Sequence, residues 1–365
     1  MVSNIQTIIY FAVALGFLIF VHELGHFLVA KLTDVKVLTF SLGFGKKLLH
    51  FRKGETEYAI SAVPLGGYVK LLGEGSGEEV PPEEAHRAFS NKPPLVRMAI
   101  AFTGPFFNLL FAFFLFLAVF WITGYPIPST QVGTVIEGDP AQTAGIRPGD
   151  TIVSINGKKT QYFDEIMIAI KESGEGPINV TVRREDTNLE FLVNPKVIEE
   201  KNILGDTLKR KVIGVTPSGT ILIKKESSPK AFISAVGQTY FSVKLTIIIL
   251  AKIVQGAVSA KNIGGPIAIF QETGKRAKQG MSDFLNFLGL LSVNLAIINL
   301  LPIPILDGGH ILFQSIELVT RRKISDRTME IAQKFGLALL ILIMAFAFYN
   351  DLDRLFDFKR FIGGR

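Results

Sequence analysis

The residues best equipped for chemistry are two histidines four apart with a glutamate directly after the first: His22-Glu23-Leu24-Gly25-His26. On a helix, positions i and i+4 share a face, so His22 and His26 can hold one metal ion between them. Glu23 starts the same turn and reaches a water on that ion without being a ligand. The pattern lies inside an apolar run from about Ile5 to Leu32. Ionisable side chains in a lipid-spanning helix are costly without partners, and a zinc ion with its water would supply them. In soluble helices the same five residues often arise by chance. Inside a membrane span their cost argues for a site.

Catalytic zinc takes three protein ligands and leaves a position for water, so a third ligand must come from another segment at similar depth. Glu317 sits near the end of the third apolar segment, and His50 and His86 lie in a polar stretch between spans. Asp307 and His310 remain, three residues apart, so that either faces the metal if the chain is helical there. Asp307 is slightly favoured.

These residues must be positioned by membrane-spanning elements. The chain has 365 residues, 48% of them hydrophobic, with thirty Phe against one Trp, and a mean hydropathy of +0.37. That composition describes a polytopic α-helical membrane protein with a soluble part. There is no cysteine, which excludes disulfides, thiolate zinc sites and cysteine nucleophiles. The net charge of +7 comes from Lys and Arg beside apolar runs, the positive-inside pattern, and nucleic acid is not an expected partner. The first run carries no Lys or Arg through Tyr10, so it reads as a retained span rather than a cleaved signal peptide.

About four spans are expected. Residues 1–32 form the first, with His26 only about 7 Å along the axis from Lys31, so the metal site lies toward one membrane face. Residues 33–94 are rich in Lys and Arg and read as cytosolic, which puts the amino terminus outside. Within them, Val37–Phe51 and Glu57–Leu72 read as short strands. Either a hairpin dips into the membrane beside the metal or a small cytosolic sheet forms, and the residues do not decide between them. Gly75–Ala88 is acidic and reads as a flexible loop. Residues 95–124 are the second span, interrupted by Arg97, Gly104-Pro105 and Asn108. Residues 129–225 have the composition of a soluble domain. Residues 229–260, with Lys244 and Lys252 dividing their apolar stretch, read as an interfacial amphipathic helix. Residues 284–319 are the third span, with prolines and glycines that preclude a continuous helix, and residues 335–350 the fourth. That places the carboxyl terminus outside, against which the basic tail argues mildly.

Two resemblances now become specific. Asp139 to Gly157 closely matches the pattern SPAAxAGLxxGDxIxxING of bacterial PDZ domains. This implies one inserted PDZ domain that takes an extended peptide or carboxyl terminus by strand addition, or that only blocks access. His22 to His26, the PDZ-like segment after the second span, and Asn299-Leu-Leu-Pro-Ile-Pro-Ile-Leu-Asp-Gly-Gly-His310 in the third together resemble the site-2 protease family. These are intramembrane zinc metalloproteases of the peptidase M50 type, and the bacterial RseP/RasP branch is nearest. The resemblance covers nearly the whole chain, including Gly66-Gly67-Tyr68, Gly104-Pro-Phe-Phe-Asn108 and Asn262-Ile-Gly-Gly-Pro266. It implies that Asp307 is the third zinc ligand and Glu23 the general base. Asn299 would contact substrate backbone, and the hairpin at Gly66, Gly67 and Tyr68 would present the substrate strand. One PDZ repeat is found where many relatives have two.

The expected function is therefore a zinc-dependent intramembrane endopeptidase in regulated intramembrane proteolysis and stress response. Its substrates would be single-pass membrane proteins such as anti-sigma factors and remnant signal peptides. The expected location is the bacterial inner membrane, with the PDZ domain extracytoplasmic, the metal near the cytosolic side and lipid as a further partner. The alternative is a non-enzymatic PDZ adaptor with a structural metal, which would need a fourth protein ligand. A metal transporter would need polar residues across every span, and the second and fourth offer almost none.

Overall fold

The computed structural model describes residues 4–75, 79–201, 207–259, 261 and 264–356. Asn262 and Ile263 of the Asn262–Pro266 motif lie outside them. The chain divides into two compact units, Phe120–Ser227 and the remainder.

The larger unit is built on helices: α1 (Asn4–Leu32), α2 (Pro94–Ala118), α5 (Ser228–Val254), α6 (Pro266–Gln279), α7 (Met281–Asn299), α8 (Asp307–Thr320) and α9 (Asp326–Phe356). Among the described residues, five helices are long and apolar enough to cross a membrane, where about four spans were expected. The additional one is Ser228–Val254, which the sequence placed at the interface. Lys244 and Lys252 interrupt its charge-free stretch but not its backbone. Lysine stems are apolar and can carry their charges toward water, so two of them do not bar a 27-residue helix from spanning. The third apolar segment is two helices. Pro302 and Pro304 cannot continue α7, and the chain leaves the helix over Leu300–Leu306 before α8 starts at Asp307. The amino end of α6 is closed from α9. Buried Asp351 accepts from the backbone N–H of Gly265, Ile267 and Ala268 at 2.9–3.1 Å, satisfying donors a helix start leaves open.

Between α1 and α2 lies a small sheet of β1 (Val37–Lys53) and β2 (Thr56–Leu71). Its register is not that of a simple hairpin. Thr39–Leu42 pairs with Gly67–Lys70 and also with Glu57–Ile60, while Leu49–Lys53 pairs with Thr56–Ile60. Each strand therefore folds back on itself, and the sheet is four segments wide, with Gly67–Lys70 at one edge. Val37 and Leu71 pack with Ala30, Val35 and Ile100, which docks that edge segment on α1 and α2. Part of the acidic stretch expected as a loop is tied down. Pro82–Arg87 is a 3-10 turn, Lys36 pairs with Glu84, and Arg87 binds Glu55 at 2.7 and 2.8 Å and Asp34 at 3.0 Å. The Arg87 hydrogen bonds, with Lys31, hold the Glu55 carboxyl at about 2.

The unit Phe120–Ser227 contains a four-stranded sheet, in the order β6 (Lys158–Lys159), β5 (Thr151–Ile155), β7 (Ile178–Arg184), β8 (Thr187–Val193). Two-stranded pairs surround it: β3 (Tyr125–Pro128) with β12 (Ile221–Lys224), β4 (Val132–Val135) with β11 (Val215–Pro217), and β9 (Lys196–Lys201) with β10 (Thr207–Val212). Alternating inward residues, Ile152, Ile155, Ile178, Val180 and Val182, make its core with Ile146 after α3 (Pro140–Ala144) and with Ile166 and Ile170 of α4 (Phe163–Glu172). Glu165 accepts from the N–H of Gln161 and Tyr162 and so fixes where α4 begins. Asp150 is 2% exposed. Burial raises its pKa, but hydrogen bonds from Arg184 and from the Arg147 N–H prevail and hold it below the usual carboxylate range. A groove of about 1260 Å³ runs beside α4, lined by Phe163, Met167, Ile170, Ile213 and Val215.

Candidate metal centre

The helical spacing does what the pattern requires. His22 and His26 sit on one face of α1, with their Nε2 atoms 3.2 Å apart. Asp307, the first residue of α8, completes a triangle. Its Oδ2 lies 3.1 Å from His22 Nε2 and its Oδ1 3.5 Å from His26 Nε2. Zinc–ligand bonds of about 2.0–2.1 Å at tetrahedral angles put ligand atoms roughly 3.3 Å apart. The distance between the two Nε2 atoms and the two contacts of the Asp307 carboxylate, one from each oxygen, fall close to that value, so the residues fit a zinc ion. Among the described residues this is the one cluster of His and acidic side chains with such geometry. Of the two candidates for the third position, it is Asp307 that joins the histidines. His310 lies one turn on, in the wall of the adjoining cavity.

That cavity, of about 210 Å³, is lined by His22, Glu23, His26, Gly67, Tyr68 and Asp307, among others. Glu23 thus shares a space with all three ring and carboxylate groups. Gly67 lies directly against it: a Cβ there would stand 2.8 Å from Glu23 Cγ and from Ile19 Cγ2. The edge of the sheet is therefore level with the metal-binding turn of α1. Gly66 does not reach the cavity and packs against the Phe44 ring instead. Asn299, the last residue of α7, brings Nδ2 to 3.2 Å from His22 Nε2. His50 pairs with Glu57 on the sheet, and His86 sits in the 3-10 turn.

Helix α2 is the frame. Its Ile100 carbonyl accepts from His26 Nδ1 at 2.7 Å, which turns Nε2 toward the centre and makes the ring a better donor to a metal. Asn108 lies 3.1 Å from His22 Nδ1. Thr103 Oγ1 donates to the Gly25 carbonyl at 3.1 Å, tying α2 to the metal-binding turn. Pro105 has no N–H, so the carbonyl of Ala101 loses its helical partner in the cavity wall. The start of α8 is held by its own connection. A Cβ at Gly308 would strike the carbonyls of Leu300 and Leu301, and one at Gly309 the carbonyl of Ile303. The loop can stack on the first turn of α8 only because both residues are glycine.

The far end of α8 is anchored by a buried ion pair, Arg97 Nη2 to Glu317 Oε2 at 2.7 Å, with side chains 9% and 13% exposed. Sequence reading saw both residues but not their pairing, because nothing local links positions so far apart. Removing one partner leaves the other charge buried and uncompensated. Arg97→Met is expected to destabilise the helical unit by about 3–5 kcal/mol, read as a lowered midpoint of thermal unfolding in detergent. Joint replacement of both residues by apolar ones should recover most of the loss.

A three-donor metal position with a carboxylate beside it, on helices of membrane length, describes a membrane metallohydrolase. The comparisons agree. The sequence profile of peptidase family M50 matches residues 10–343. A Campylobacter jejuni protein provisionally named a zinc metalloprotease is 40% identical over 341 residues, 93% of this chain and 92% of its own. A Clostridium acetobutylicum protein named in the same way is 35% identical over 340 residues, 93% and 95% of the two chains. Protease RseP of Yersinia pestis is 32% identical over 457 aligned positions, 97% of this chain and all of that one. The chain belongs to peptidase family M50 and is a zinc metalloprotease.

Proposed function

We propose that this protease cuts single-pass membrane proteins within or beside the bilayer, with His22, His26 and Asp307 holding zinc and Glu23 acting as general base. The observation that carries the reading is the triangle of 3.1–3.5 Å edges opening on the cavity that Glu23 lines. Bound there, zinc would polarise the scissile carbonyl and bring the pKa of its water toward about 7. Glu23 takes the proton of the attacking water and returns it to the departing amine nitrogen. Asn299 offers its amide to the substrate backbone from the end of α7. Gly67, Tyr68 and Val69 lie at the edge of the sheet among the described residues, so an unwound substrate segment can add there as a strand, with Tyr68 beside the cut. Helical substrates hide their carbonyls in their own hydrogen bonds, so helix-weakening residues near the cut favour cleavage.

The location is the inner membrane of a bacterium, with the metal toward the cytosolic face, where Lys31, Lys36 and the basic residues of β1 cluster. The unit Phe120–Ser227 is an extracytoplasmic PDZ domain. Support comes from its Asp139–Gly157 pattern and from the apolar groove between α4 and β11, which suits an extended peptide or a carboxyl terminus. Anti-sigma factors and remnant signal peptides are substrates of the right architecture. An adaptor with a structural metal is disfavoured, since such zinc sites are closed by four protein ligands and the cluster among the described residues offers three.

Glu23→Gln tests the reading. It keeps the size of the side chain and removes the base. The variant should retain zinc by metal analysis and lose about 10²–10⁴-fold in cleavage of a reconstituted single-span substrate. Cleavage at the wild-type rate would overturn the assignment.

A further inference from the structure

Asn108 is fully buried in α2, and its side chain approaches one functional atom: Nδ2 lies 3.1 Å from Nδ1 of His22. Its Oδ1 is buried with no hydrogen-bond partner. That orientation conflicts with the use made of His22. A neutral imidazole has one N–H and one lone pair. If Nδ1 accepts from the Asn108 amide, the proton sits on Nε2, the atom that faces Asp307 and His26. A ring that points N–H at the centre cannot donate to a cation there. His26 has the opposite polarity. Its Nδ1 faces the Ile100 carbonyl, which can only accept, so its Nε2 is bare. Asn299 aims Nδ2 at His22 Nε2, a donor that also calls for a lone pair at that atom. The two ends of a carboxamide have nearly the same shape, so hydrogen-bonding chemistry decides which is oxygen.

We propose that Asn108 presents Oδ1 to His22. By accepting from Nδ1–H, it holds the ring in the tautomer whose Nε2 lone pair faces the metal position. Asn108 is then a positioning residue, acting through His22 as the Ile100 carbonyl acts through His26. It is well held for the purpose. Ser292 of α7, itself fully buried, donates its hydroxyl to the Asn108 main-chain carbonyl at 2.7 Å. The polar pair Asn108–Ser292 thereby gains a reason to lie inside apolar helices, where unpartnered polar groups are costly. The inference rests on the reading of His22, His26 and Asp307 as the zinc site.

Two variants separate the two orientations. Ionised aspartate offers only acceptors, so Asn108→Asp in that form keeps the bond proposed and abolishes the reverse one, whereas Asn108→Leu abolishes both. Zinc affinity of the full-length protein in detergent is measured by competition with a chelator, and the thermal midpoint of the zinc-free form reports folding. The leucine variant should bind zinc about 10–100-fold more weakly and the aspartate variant within about threefold of wild type. An aspartate variant as weak as the leucine variant, with an unchanged midpoint, would overturn the proposal. So would a leucine variant that binds as tightly as wild type. If Asn108→Leu does not fold, Asn108→Ala replaces it with the same expectation. Failure of the wild type to bind zinc would instead refute the site itself, so the two failures are told apart.

Discussion

Asp307→Ala is expected to leave a folded protein that neither holds zinc nor cleaves. Asp307 is the one donor that does not come from α1, and its carboxylate bridges both histidines at 3.1 and 3.5 Å. Without it the site keeps two ligands, one fewer than catalytic zinc requires. Loss of an outer hydrogen-bonding partner costs about 10–100-fold in metal affinity, and loss of a direct ligand should exceed about 100-fold. The fold should persist. α8 remains fastened by the Arg97–Glu317 pair and by the loop stacked on Gly308 and Gly309. His310→Ala is the matched comparison. It lies in the same cavity wall but outside the triangle, so it should keep its zinc. Metal analysis of the two purified variants decides the matter, and zinc lost from His310→Ala alone would reverse the ligand assignment.

The two halves of this site were unequally legible. His22 and His26 are joined by helix periodicity, which spacing reports directly. The third ligand is set by how α8 returns to α1 across some 280 residues. Spacing cannot reach that far, and residue chemistry left Asp307 and His310 both open until the family resemblance separated them. The break before Asp307 was legible because Pro302 and Pro304 act locally. The Ile100 carbonyl was invisible, since every residue has one, and its use depends on where α2 crosses α1. The sheet was half seen. Apolar runs marked β1 and β2, but which segments pair is a matter of tertiary register, and two runs became four paired segments. Lys244 and Lys252 set α5 at the interface in the sequence, while its length and composition also suit a span, because a charge marks the side chain that carries it and not the path of the backbone.

Gly104→Ala, a change of one methyl group, is expected to disable the same site from the opposite wall. The new Cβ would strike Nε2 and Cε1 of His26 and stand 2.9 Å from Cε1 of His22. Flexible side chains can swing away from such a clash, but these rings cannot. His26 is tied through Nδ1 to Ile100 at 2.7 Å and His22 lies against Asn108 at 3.1 Å, so relief must come from moving α2. That motion would also strain the close crossing at Gly25, where a Cβ would already meet the Thr103 carbonyl. Overpacking of this kind costs about 1–3 kcal/mol in stability. The functional loss should be larger, because a displacement of about 1 Å at a reacting centre can cost roughly 100-fold in rate. Gly16→Ala in α1 is the control, since a Cβ there meets nothing within 4 Å. A glycine in a helix interior is less favourable than alanine by about 1 kcal/mol, so that variant should be neutral or slightly more stable. Chelator competition for zinc and cleavage assays on the pair test the geometry. If Gly104→Ala bound zinc and cut substrate as the wild type does, the close packing of α2 on the histidine pair would not be what sets the site.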